Sequence, residues 1–265
     1  MKCAHRFQMG IGMGLSACIL AALQVAFLVT GARADVGNQI MIGVHAGPGI
    51  PSIEGGTNEQ SRGYTSRFGP YFGFFAEFPV GPKLSLCTEI NYASQGGKRN
   101  GMQPIPPDQL PPGVQIPPGM TLYADFHNEA ILNYAEIPVM IRMTWGDRSH
   151  FFVAAGPYVG FLIRAKTVTS GTSLLYIDPS GTPLEVGDPL PLVSFDGDTN
   201  IRDDINSTCF GLAGGVGVET HLGPGQIVLD ARFSLGLTNI QSNPEVDGEN
   251  QTGAVEITIG YAFGF

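Results

Sequence analysis

In the stretch ILNYAEIPVMIRMTW (131–145), Ala135, Ile137, Val139, Ile141, Met143 and Trp145 fall on one face. Tyr134, Glu136, Pro138, Met140, Arg142 and Thr144 fall on the other. A period of two is that of a β-strand whose two faces meet different surroundings. Seven further stretches show the pattern or approach it: 39–47, 68–78, 83–95, 150–165, 207–220, 226–237 and 254–265. Beyond residue 35 no apolar period of 3.6 is sustained over three turns, and 37 Gly and 20 Pro are many for a helical chain. The chain is expected to be all-β.

The connections narrow the architecture further. PVGP, GDRS and HLGPG join the second strand to the third, the fourth to the fifth and the sixth to the seventh, all with tight-turn chemistry. The other connections are long, at about 48–67, 96–130, 166–206 and 238–253. Strict alternation of long and short connections predicts an eight-stranded antiparallel up-and-down transmembrane β-barrel, with short turns on the periplasmic rim and long loops outside.

The faces say which solvent lies where. In the fifth strand Phe151, Val153, Ala155, Pro157, Val159, Phe161 and Ile163 oppose Phe152, Ala154, Gly156, Tyr158, Gly160, Leu162 and Arg164. The polar faces are too poor in Lys and Glu for a water-exposed exterior, whereas a charge facing lipid near the midplane costs about 2–4 kcal/mol. The apolar faces are therefore expected to meet lipid and the polar faces a narrow lumen. Glu77, Glu89, Glu136, Glu219, Asp230 and Glu256 then share that lumen with Arg142, Arg164 and Arg232. An eight-stranded barrel is wide enough only for side chains to fill, so these charges are expected to pair as a structural plug. A proton or ion path through them is the competing reading. Trp145, Tyr92 and Phe78 suit aromatic girdles at strand ends, and Tyr158 does so by position although its parity is inward.

The closing VEITIGYAFGF carries Ile259, Tyr261, Phe263 and Phe265 on the lipid-facing parity. This pattern resembles the C-terminal signal that barrel-assembly machinery reads in outer-membrane proteins. The last strand is expected to pair with the first, leaving no open edge.

Residues 1–34 combine a basic start, an uncharged apolar run and ARA before Asp35, the order of a cleaved signal peptide. An uncleaved helix, or lipidation at Cys18, are the alternatives. The barrel domain is expected over 35–265. The full chain carries a net charge of −9, and removing Lys2, Arg6 and Arg33 with the leader makes it more negative. With no basic cluster, nucleic acid is excluded as a partner. Cys87 and Cys209 are left, without metal-ligand spacing, either paired or buried as free thiols.

The segments FGFFAEFPVGPKLSLCTEINYASQGGK, LNYAEIPVMIRM, FFVAAGPYVGFLI, FGLAGGVGVET, LDARFSLGLTNI and IGYAFGF resemble the PorT-type outer-membrane β-barrel family. The resemblance spans about residues 40 to 265, with NYAEIP and AGPYVG its most specific parts. It implies a barrel similar in architecture to OmpA and OmpX, in the outer membrane of a Gram-negative bacterium. It carries no activity to this chain, and the Pro-rich loop is not a shared family feature.

Three motifs remain. DGDTNIRDD (196–204) alternates carboxylates as a calcium loop does, but lacks Gly at the sixth position and has Ser207 where Glu would stand at the twelfth. A solvated acidic loop is the alternative. IPPDQLPPGVQIPPGM (105–120) repeats Ile/Leu-Pro-Pro, suiting a stiff polyproline arm that spaces the loop or binds a partner. A lipid-modifying enzyme would need His and Ser together at the membrane rim. Of the candidates, His45 has inward parity, His127 falls in a loop, and His150 and His221 lie beside short turns. The expectation is a non-enzymatic barrel without cofactor or metal. Its partners are outer-membrane lipid, the assembly machinery and an extracellular or envelope protein reached through the loops. A small pore or transport-assisting barrel is the alternative.

Overall fold

Each of the eight alternating stretches forms a strand of one antiparallel sheet, and the sheet closes on itself. The computed structural model describes residues 39–105, 120–146, 149–184 and 192–265. The barrel strands are β1 (Met41–Gly55), β2 (Gly69–Gly81), β3 (Leu84–Pro104), β4 (Tyr123–Trp145), β5 (Ser149–Ser170), β9 (Thr208–Leu222), β10 (Gly225–Gly236) and β11 (Asn250–Gly264). Three short strands, β6 (Thr172–Ser173), β7 (Val193–Ser194) and β8 (Gly197–Asn200), belong to the connection after β5. The only described helices are single turns at Arg202–Asp204 and Pro244–Asp247. The stretch expected to be a signal peptide (1–34) and most of the Pro-rich stretch (106–119) lie outside the described residues.

Closure is made by β11 against β1, with Phe263 opposite Ile42, Tyr261 opposite Val44 and Ile259 opposite Ala46. The other closing seam joins β4 to β5 and β5 to β9. Met41 lies opposite Glu77, Glu77 opposite Cys87 and Cys87 opposite Met140. Further round, Ala213 faces Ser234, Ser234 faces Ala254 and Ala254 faces Pro51. The circuit begun at Met41 thus returns higher on β1, the stagger of tilted strands that closure requires.

Burial follows the parity. Ile141, Met143, Phe151, Val153, Phe233, Ile257, Ile259 and Phe263 are exposed, whereas Glu89, Asn91, Arg142, Arg232 and Glu256 are buried. This is a soluble protein's pattern turned inside out, and it is the form a barrel takes in lipid. Small residues on the inner face make room for inward rings. A Cβ at Gly211 would meet Tyr158 Cε1 at 2.3 Å, and one at Gly217 would meet Phe152 Cζ at 2.2 Å. The inward position of Tyr158 removes it from the girdle, while Phe72 and Tyr92 stack outside at 5.0 Å.

The strands run further outward than alternation predicts. The connection expected at 96–130 reduces to 105–122, because β3 continues to Pro104 and β4 starts at Tyr123, so His127 lies in a strand. Likewise β1 extends to Gly55, β5 to Ser170, and β11 begins at Asn250. Above the apolar belt the paired positions are Lys98 with Glu129, Asn100 with His127 and Met102 with Asp125. Water replaces lipid there, so the pairing persists while the apolar period stops. A second small core forms on this extension from Ile105, Leu122, Ala124, Phe126, Leu175 and Phe195, with Phe126 and Phe195 stacked at 4.6 Å.

Candidate functional site

The inward parity of β2, β4 and β9 brings three charges together near the short-turn rim. Arg142 Nη1 donates to Glu77 Oε2 at 2.7 Å, and its Nη2 donates to Glu219. The guanidinium also lies 3.7 Å over the Phe152 ring. Ser85 donates to Glu77, and His150 Nδ1 stands 3.5 Å from Glu219 Oε1. One arginine between two carboxylates is the arrangement that offsets burial of all three.

A second knot lies deeper. Arg232 Nη1 and Nη2 donate to Glu89 Oε2 and Oε1 at 2.6 and 2.9 Å, and Nη2 donates to Asp230 Oδ2 at 2.6 Å. Asn91 Nδ2 donates to Glu89 Oε2 at 2.7 Å and to the Tyr71 hydroxyl at 2.6 Å. His45 Nε2 meets Asn91 Oδ1 at 2.8 Å. His45 is therefore buried inside the lumen, away from the lipid rim. Between the two knots the cavity lined by His45, Glu89, Arg142, Asp230 and Arg232 measures about 20 Å³, room for about one water.

Toward the outer end Glu136 Oε1 accepts from Gln95 Nε2 at 3.0 Å, and Glu256 Oε1 accepts from Ser234 Oγ at 2.9 Å. Both carboxyls are buried, and among the described residues neither has a salt-bridge partner. Above them the lumen ends beneath a cleft of about 270 Å³ at the mouth. Its floor includes Ile53, Leu132 and Ile240, and its rim includes Gln60, Asp204 and Gln241. Two side chains missed in the sequence fasten the loop residues to the wall. Arg67 donates to Glu129 Oε1 at 2.6 Å and to Ser94 O at 3.1 Å, and Asn250 Nδ2 donates to Ser61 O at 2.9 Å. Tyr123 donates its hydroxyl to Glu59 in the same outer layer, and that bond, with a smaller effect of burial, pushes its pKa up to about 12.

Residues 31–242 match the sequence profile of the family described as outer membrane protein beta-barrel domain. The chain belongs to that family. No curated protein matches it. Among solved structures it is similar to Ail, the attachment invasion locus protein of Yersinia pestis, at 11% identity over 85% of this chain and 99% of that one, with a TM-score of 0.38. Neisserial surface protein A is similar at 11% identity over 84% and 97%, TM-score 0.39. The outer membrane protease OmpT of Escherichia coli is similar at 9% identity over 88% and 99%, TM-score 0.33. The family match, with the closed ring and its lipid-facing belt, places this barrel in the outer membrane.

Eight of the nine charges expected in the lumen of this outer-membrane barrel lie there; Arg164 does not. Asn133 pairs with Arg164 but Tyr134 pairs with Leu162, so a β-bulge inserts one residue and both Ile163 and Arg164 face outward. Beyond the bulge Ala165 and Thr167 are the buried positions. Ile259, Phe263 and Phe265 are exposed on the outer face, and Tyr261 stands edge-on to Phe263 at 4.9 Å while donating to Leu222 O.

Part of the acidic stretch 196–204 is drawn into the wall. Residues 197–200 form β8 against β5, Asp196 accepts from Gly171 N, and Asp198 pairs with Lys166 at 2.7 Å. Among the described residues no group of three His, Cys, Asp or Glu is arranged to hold a metal. Cys87 and Cys209 are both buried and free.

Proposed function

We propose that this protein is a non-enzymatic outer-membrane barrel whose lumen is plugged and whose loops at the mouth make its specific contacts. One observation supports the reading most. Inside the strands the space among the charges is about 20 Å³, whereas the loop end opens a cleft of about 270 Å³. Inside the barrel, among the described residues, a site for another molecule has more room at that end. The long connections face outside and the short turns face the periplasm of a Gram-negative cell. The barrel is a PorT-type relative, inserted by the assembly machinery through its β11 signal, and its partner is an extracellular or envelope protein. Envelope pull-downs with the intact chain and with a chain lacking 104–119 test this. The deletion is expected to lose the partner while the barrel stays heat-modifiable; equal capture by both chains would refute a contact through that loop.

The second reading is a narrow cation path. Glu136 and Glu256 favour it, because they face the lumen without a basic partner. The two ion-pair knots on the short-turn side oppose it.

A further inference from the structure

The bulge that removes Arg164 from the lumen sets it on the outer wall at a particular height. Immediately toward the short-turn end, the outward face is apolar: Ile163 is exposed, as are Phe210 and Leu212 on the neighbouring β9. Immediately toward the mouth, it is polar, with Lys166 bound to Asp198. Arg164 therefore stands where lipid tails end and headgroups begin. It is exposed, and its side chain makes no hydrogen bond or ion pair among the described residues.

A second arginine reaches the same place. Arg202, in the turn Arg202–Asp204, donates Nη1 to Leu162 O at 2.8 Å and to Ile163 O at 2.9 Å. It thus braces the bulge from the carbonyl side while remaining exposed itself. Of the nearby carboxylates, Asp198 is engaged on Lys166 and Asp204 lines the mouth cleft, while Asp203 is exposed beside Arg202. In a chain with net charge −9, these two exposed guanidinium groups at the headgroup level are in no ion pair among the described residues.

We propose that Arg164 and Arg202 form a binding site for the phosphate of a lipid headgroup in the leaflet at the long-loop end of the barrel. Guanidinium groups match phosphate oxygens in charge and in fork geometry. The bilayer that covers the apolar belt supplies such a group at this height. The inference rests on the membrane-barrel reading, not on any loop partner.

Native mass spectrometry of the refolded full-length barrel tests the site, with phosphatidic acid and diacylglycerol of equal chain length as probes. The wild type is expected to retain phosphatidic acid about 10-fold better, the scale of one charge-assisted contact at a partly wet site. Arg164→Gln, Arg202→Gln and the double variant are expected to lose most of that preference, and Arg164→Lys to keep part of it. Equal retention of the two lipids by the wild type, or an unchanged preference in Arg164→Gln, would overturn the site. Full displacement by millimolar inorganic phosphate would reassign it to free phosphate and overturn the lipid. Loss of the boiled–unboiled gel shift in Arg164→Gln would contradict its placement as an unpaired surface cation. A lost lipid preference with that shift retained in every form leaves the barrel reading standing; absence of the shift in the wild type itself would be the failure of that reading.

Discussion

Arg232 and Glu89 meet side-on across the lumen, Nη1 donating to Oε2 at 2.6 Å and Nη2 to Oε1 at 2.9 Å. The two residues come from strands on different sides of the β1–β11 seam, β10 and β3, so the pair ties the wall across its width. Its loss leaves a buried guanidinium with Asp230 as its one carboxylate among the described residues. Glu89→Gln is expected to destabilise the barrel by on the order of 3 kcal/mol, read as a lowered urea midpoint in lipid micelles.

Glu136→Gln and Glu256→Gln are expected to behave in the opposite way. Each carboxyl accepts from a neutral donor, Gln95 or Ser234, and an amide of the same shape keeps that acceptor while removing a buried group without a counter-charge. Stability within about 1 kcal/mol of wild type, or above it, is predicted in the same urea assay. A loss matching that of Glu89→Gln would show that these two carboxyls have cationic partners.

On β11 the outward parity can be tested at two heights. Ile257 is exposed within the apolar belt, whereas Gln251 shares its face but pairs with Glu54 near the outer end. Ile257→Arg is expected to cost about 2–4 kcal/mol and Gln251→Arg about 0–1 kcal/mol. Equal costs would mean that the belt does not end between them.

The contact of Tyr123 with Glu59 has a pH signature. Donation to the carboxylate raises the hydroxyl from its ordinary 10.0 to about 12. Because the folded value is the higher one, the contact contributes fully below about pH 10 and is lost as pH rises through about 12. Absorbance titration of tyrosinate is expected to lose a step near pH 12 in Tyr123→Phe. Glu59→Gln is expected to bring that step back toward 10.

Strand number, parity and eight of the nine charges expected in the lumen follow from local alternation, Arg164 being the exception. The period reports lipid on one face, so it vanished at Lys98, Asn100, Asp125 and His127, where that face meets water and the strands nevertheless continue. The bulge at Ile163 and Arg164 left no mark, because either residue is compatible with either face near a strand's outer end. Arg67 with Glu129 and Asn250 with Ser61 join residues far apart in the chain, which no local pattern reports. Two of the carboxylates of 196–204 are engaged by distant groups that no local pattern reports, Asp196 by the Gly171 amide and Asp198 by Lys166.

The central claim is that the two arginine-centred knots close the lumen and leave function to the mouth. Single-channel recording of the refolded barrel in planar bilayers tests it most directly. A flat baseline is predicted for the wild type across both polarities, with openings emerging when Arg142→Ala and Arg232→Ala are combined. Regular conductance steps from the wild type would contradict the account.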